Sequence, residues 1–179
     1  MNASRENIER VGDRRQLSEN KRELIRKVII DQFSDALFQD VGIRDICAAA
    51  GVTPKTVYKH FGNKDRLLIT AIGPDMEHLN ELFAQAAAEP GSALHRLEAI
   101  GLAFMTFYFS RLPVARILFL NIPSAYLVSH PAFIQRAQLD VLQNVILDGQ
   151  AEGSIRCDVD AQDLSEAMAG ISMRSMFRY

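Results

Sequence analysis

Between Thr53 and Lys64 the chain reads TPKTVYKHFGNK, a run of hydroxyls, lysines, one tyrosine and one histidine. Thr53 as a cap and Pro54 at the first helical position open a short helix there. Lys55, Thr56 and Lys59 then fall on its exposed face, with Tyr58 and His60 beside them. Short, positive, hydrogen-bonding side chains of this kind suit the base edges and phosphates of a DNA major groove. Lys64 stands at the expected start of the next helix, where unpaired N–H groups and the helix dipole attract a phosphate. Arg44, on the exposed side of the preceding helix, is a further phosphate partner.

A second concentration is aromatic: Phe104, Phe107, Tyr108, Phe119, Tyr126 and Phe133. Most of this apolar surface must be core in a helical bundle. A helix apolar nearly all round, with Thr106 and Ser110 interspersed, also suits a pocket for a small apolar or aromatic molecule. Enzyme chemistry finds little support. The four His residues, at 60, 78, 95 and 130, lack metal-ligand spacing with one another or with Cys47 and Cys157. No Ser-His-Asp arrangement or glycine-rich phosphate loop is present, so neither catalysis, a metal nor a cofactor is expected. Cys47 reads as a small buried apolar residue.

These side chains must be positioned by helices, because apolar residues recur at three and four positions and no sustained alternation marks a strand. A first helix is expected from about Ser18 to Asp35 or Leu37, with Ile25, Val28, Ile29 and Phe33 on one face. A second covers Ile43 to Ala50 and stops at Gly51; a third runs from Pro54 to near His60. Asn63 caps a fourth from Lys64 toward Ala88, which Gly73-Pro74 should kink or interrupt. Further helices are expected at about Ser92–Arg111, Pro113–Leu120, Pro131–Glu152 and from Ala161 onward. Two short helices joined by a glycine turn, after a longer one, form the helix-turn-helix pattern. Ile46, Ala50, Val52, Val57 and Phe61 would close its core against Phe33, Leu67 and Leu68.

The segment IRDICAAAGVTPKTVYKHFGNKDRLL, residues 43 to 68, resembles the DNA-binding motif of tetracycline-repressor (TetR) family regulators, and the likeness extends back without a gap to Ile25. Thr53, Tyr58 and His60 match family positions that commonly touch DNA. Lys55 stands where the family often has Gly, Leu37 where a Gly usually precedes the aromatic, and Val41-Gly42 where a Thr pair usually caps the second helix. The resemblance implies an all-α protein with an N-terminal three-helix DNA-binding domain and a larger C-terminal helical domain for ligand binding and dimerisation. It further implies a homodimer, usually a repressor, released from a palindromic DNA operator when an inducer moves the fourth helix. Dimerisation in the family uses the last two helices. The chain ends in MRSMFRY, so either it stops short of the usual last helix or helices 131–152 and 161–179 serve alone.

Composition agrees with an ordinary globular chain: 179 residues, 48% hydrophobic and a net charge of −2. No run reaches the roughly 18 apolar residues of a membrane span, and the charged N-terminus lacks a secretory apolar stretch, so a cytoplasmic protein is expected. The charge divides unevenly. Residues 1 to 70, the expected DNA-binding domain, hold 13 Lys+Arg and 10 Asp+Glu, whereas residues 71 to 179, the expected sensor, hold 7 and 12. A basic reading head and an acidic remainder would orient the protein on DNA. Arg14, Arg15, Lys21, Arg22, Arg26 and Lys27 form either a phosphate- or minor-groove-binding arm or a solvated stretch interleaved with Glu19 and Glu23. The competing reading is a helical ligand-binding or protein-interaction module without DNA-binding activity, for which the absent Thr pair would be the first sign.

Overall fold

The structure, a computed structural model, describes residues 18–122 and 135–176. The described residues are helical, without a strand, and the chain divides after Ala71 into two compact units. The first unit begins with α1 (Glu19–Ser34), whose N-cap Ser18 accepts from Lys21 N. Ile25, Ile29 and Phe33 of α1 are buried as their spacing predicts; Ile30 is buried too, and Val28 only partly.

α2 (Ile43–Ala50) and α3 (Pro54–Phe61) follow. Leu37 sits in the preceding turn without positive φ, so that turn has no need of the glycine usual at its position. Ile46, Cys47, Ala50, Val57, Phe61, Leu67 and Leu68 close a small core with the α1 face. Burial pushes the Cys47 thiol pKa up, which keeps it an inert thiol.

α4 (Lys64–Ala87) starts in the first unit, where Asn63 Oδ1 accepts from Arg66 N at 3.0 Å. An interruption at Gly73-Pro74 does not occur, because α4 continues through Pro74 as one element. Proline deprives the Thr70 carbonyl of its helical donor. Beside it, the Arg26 guanidinium donates to Ala71 O at 3.3 Å.

The second unit contains the rest of α4, then α5 (Ala93–Ser110), α6 (Leu112–Arg116), α7 (Gln135–Ala151) and α8 (Ala161–Met176). The single helix expected over Pro113–Leu120 is instead α6 followed by a π-helical turn, Ile117–Asn121, closed by Ile122 N to Ile117 O at 3.2 Å. The wider turn accommodates a run of consecutive apolar residues, with Ile117 and Leu118 both buried. The segment expected to open α7 before Gln135 lies outside the described residues.

α7 packs on α5 and α8. Arg96 on α5 reaches Asp148 at 2.9 Å, and Glu152 Oε2 accepts from Ala93 N at 3.1 Å, so the end of α7 supplies an acceptor to the start of α5. Asp75 is buried and paired with the Arg111 guanidinium, which also lies over the Phe107 ring at 5.1 Å. No single described helix is long and apolar enough to cross a membrane. Ala93–Ser110 with Leu112–Phe119 passes that test only as a bent pair. Ile100, Phe107, Tyr108 and Ile117 of that pair are core.

The close approach of α5 and α7 rests on Gly149, where an added Cβ would meet Ile155 Cδ1 at 2.5 Å and Ala93 Cβ at 2.9 Å. Gly149→Ala, ordinarily favourable inside a helix, is therefore expected to lower unfolding free energy by about 1–3 kcal/mol. Urea denaturation of the two proteins measures the difference.

Candidate functional site

The first unit builds its candidate site from the turn between α2 and α3. Gly51 ends α2 in the left-handed region (φ 59), donating to Ala48 O, while Val52 N returns to Cys47 O at 3.0 Å. The Lys21 ammonium donates to Ala50 O at 2.9 Å, satisfying another carbonyl at this helix end. Lys21 thus serves inside the domain, a role its place in a basic arm did not reveal. Arg26 is likewise held by Glu23 Oε2 at 2.9 Å and by Ala71 O, whereas Arg22 and Lys27 are exposed. Arg14 and Arg15 lie outside the described residues.

Beyond the turn, Thr53 caps α3: its Oγ1 accepts from Thr56 N at 3.3 Å and lies 3.0 Å from Thr56 Oγ1. Thr56, expected to read a base, is half-buried and shares its hydroxyl with this cap. Thr53, Pro54, Lys55, Tyr58 and Lys59 are exposed, Tyr58 to 47%. Lys55, Tyr58 and Lys59, at i, i+3 and i+4, therefore share one solvent-facing strip of the helix. His60 is half-buried at the last turn of α3.

Arg44 is exposed on α2. The N-cap of α2, Gly42, makes no side-chain cap bond. The acidic residue in that first turn is Asp45, and its Oδ2 would stand 2.6 Å from a Cβ at Gly42, so a carboxylate occupies the region a capping hydroxyl would use. Lys64 is half-buried, with its ammonium 4.8 Å from the Phe38 ring centroid, and Phe38 stacks on Phe33 at 5.7 Å. This contact orients the Lys64 stem at the first turn of α4.

A sequence model described as bacterial regulatory proteins of the tetR family matches residues 20–71, the span from α1 through the start of α4. This is a tetR-family DNA-binding domain. Within the matched span, α3 is the second helix of the helix-turn-helix. No curated protein matches the chain. Among solved structures, it is similar to the transcriptional regulator FadR from Bacillus subtilis in complex with stearoyl-CoA, at 18% identity and TM-score 0.75, covering 84% of this chain and 82% of that one. The ketosteroid transcriptional regulator KstR2 of Mycobacterium tuberculosis is 20% identical with TM-score 0.71, over 92% and 85%. The TetR family regulator PfmR from Thermus thermophilus is 17% identical with TM-score 0.69, over 87% and 85%. These likenesses show a shared fold.

The second unit contains a cavity of about 90 Å³. Phe104, Tyr108 and Phe119 line it, joined by Phe83 and by Gln138, Met168 and Ser172, which the sequence reading did not include. Phe107 does not: it is buried against Tyr108 on one side and lies near His78 and Arg111 on the other. Tyr126 and Phe133 lie outside the described residues. Gln138 escaped the sequence reading because an isolated amide carries no aromatic signal. Among the described residues, no group of three His, Cys, Asp or Glu side chains could hold a metal.

Burial, then the charges of Lys59 and Arg22, hold the His60 pKa below the ordinary histidine value, so the imidazole is neutral at pH 7 in the free protein. Nearby phosphates favour the imidazolium, so a complex that engages His60 binds more protons than free protein and tightens as pH falls. DNA affinity is expected to rise between about pH 7 and 5, and His60→Gln to flatten that slope. Fluorescence anisotropy across pH at fixed salt measures both.

Proposed function

We propose that this regulator is a homodimeric, ligand-responsive repressor, released from a palindromic operator by a small apolar or aromatic inducer. The cavity in the second unit is the observation that carries the reading: among the described residues no acidic, basic or histidine side chain lines it, and four aromatic rings do. A neutral, aromatic-walled space takes apolar surface from water and has nothing to offset the desolvation of a charged ligand. As it stands the cavity is small, so Phe104 and the flexible Met168 must give way to admit a ligand. Similar regulators named for a ketosteroid, or solved with stearoyl-CoA, lend support.

DNA contact falls to Thr53, Lys55, Tyr58, Lys59 and His60, with Arg44 and Lys64 on phosphates. Lys55 and Lys59 read bases, and Thr56 steadies the cap. Residues 1 to 70 would thus serve DNA and residues 71 to 179 ligand and partner. α4 carries Lys64 at its start and Phe83 on the cavity, so a ligand that displaces this helix can alter the spacing of two recognition helices set for half-sites about 34–36 Å apart. The partner would be a second copy. Ile171 is 69% exposed on α8, with Met168 and, on α7, Leu147 also exposed, and the small Ala167 and Gly170 are exposed beside them. Such a regulator acts by binding, without catalysis, metal or cofactor, in the cytoplasm. The reading without DNA binding is disfavoured because α2 forms over Ile43–Ala50 without the Thr pair.

Binding to the DNA upstream of its own gene, measured at several salt concentrations, tests the proposal. Lys55→Ala is expected to change preference at one base position by about 1–3 kcal/mol. Lys64→Ala should weaken all sequences alike and reduce the salt slope by about one ion. Equal, sequence-independent losses in both variants would remove Lys55 from base reading, and the absence of a palindromic footprint would remove the dimeric repressor.

A further inference from the structure

Among the described residues, three polar side chains line the cavity: Tyr108, Gln138 and Ser172. Two have hydrogen bonds within the protein. Gln138 Nε2 donates to Asn80 Oδ1 at 3.1 Å, and Ser172 Oγ donates to Met168 O at 2.8 Å. Tyr108 differs. It is 2% exposed, and among the described residues nothing hydrogen-bonds its hydroxyl. Phe104, Phe107 and Phe119 surround its ring, with centroids 4.7, 5.1 and 5.2 Å away. Three aromatic neighbours fix the ring's position without offering the hydroxyl an acceptor, although a buried hydroxyl normally finds one.

Burial pushes the Tyr108 phenol pKa well above its usual value, so the group remains a neutral donor across the physiological range. A neutral donor asks for an acceptor atom, and the stronger hydrogen bond that an anion would accept does not offset its desolvation in a cavity where no described side chain offers a cation.

Resting on the apolar-inducer reading, we infer that the ligand is an uncharged molecule presenting a hydrogen-bond acceptor, a ketone, aldehyde or ester carbonyl, to Tyr108 Oη inside an otherwise apolar envelope. Tyr108 is then the residue that separates such a ligand from a hydrocarbon of the same shape. A site with an unmet polar group discriminates against the analogue that leaves it unmet. The aromatic walls supply most of the affinity, and the hydroxyl supplies the choice.

Acetophenone, ethylbenzene and benzoate form a matched set: the first two differ by a carbonyl in place of a methylene, and the third carries a charge. With the full chain, isothermal titration is expected to give acetophenone roughly tenfold tighter binding than ethylbenzene, and benzoate the weakest. Tyr108→Phe should bind acetophenone and ethylbenzene alike. Its melting temperature should not fall below that of the parent, since the lost hydroxyl holds nothing in the free protein. A measurement independent of the variant is the infrared carbonyl stretch of bound acetophenone, which a Tyr108 hydrogen bond lowers relative to the same ketone in hexane.

Equal binding of acetophenone and ethylbenzene, a preference that survives Tyr108→Phe, or an unshifted carbonyl stretch overturns the acceptor inference and leaves the apolar inducer standing. Tightest binding by benzoate, or binding of none of the three, overturns both.

Discussion

The carbonyl end of α2 is the constraint on which the DNA-facing unit depends. A helix of eight residues leaves a large share of its backbone groups at its ends, so its direction is only as firm as its terminus. Gly51 in the left-handed region, the return of Val52 N to Cys47 O and the Lys21 ammonium on Ala50 O together satisfy that terminus. Two residues later Thr53 caps the next helix. The chain thus leaves α2 and enters α3 with little freedom between. The solvent-facing strip of Lys55, Tyr58 and Lys59 follows from that geometry, because Val57 and Phe61 on the other side are buried.

In the second unit the corresponding constraint is aromatic packing around Tyr108. Phe83, Phe104, Phe107 and Phe119 meet one another or Tyr108 at edge-on or tilted angles, the arrangement favoured by ring quadrupoles. The π-helical turn matters because Phe119 lies within it, and a change of helical period places that ring against Tyr108. Phe107, one residue before Tyr108, takes the other side and packs with Arg111, whose charge is held by the buried Asp75.

Much of this was legible in the sequence, and the reason is locality. Ser18, Thr53, Asn63 and Ser92 announce helix starts by their own side chains, and Gly51 announces an end, so the elements fall close to their expected bounds. What the sequence hid depends on residues far apart. Lys21 meets Ala50, Arg26 meets Ala71, Gln138 meets Asn80 and Asp75 meets Arg111 only once the chain has folded. Thr56 reads from its position as a base contact, and the fold also sets its hydroxyl 3.0 Å from that of Thr53, three residues away. At Pro74, of the kink or interruption that the sequence suggests, the interruption does not occur. A residue that breaks helices in isolation is carried through a long one because the surrounding packing outweighs its cost.

The uncharged character of the described lining has one more consequence. Phosphate contacts release condensed counterions, so the proposed grip of α3 on DNA would weaken as cellular salt rises. Transfer of an uncharged molecule into a cavity lined by Phe83, Phe104, Tyr108 and Phe119 involves no ion exchange. The two proposed activities would answer to different properties of the surrounding medium. Osmotic stress would tune occupancy of the operator while leaving the threshold for the chemical signal almost where it was.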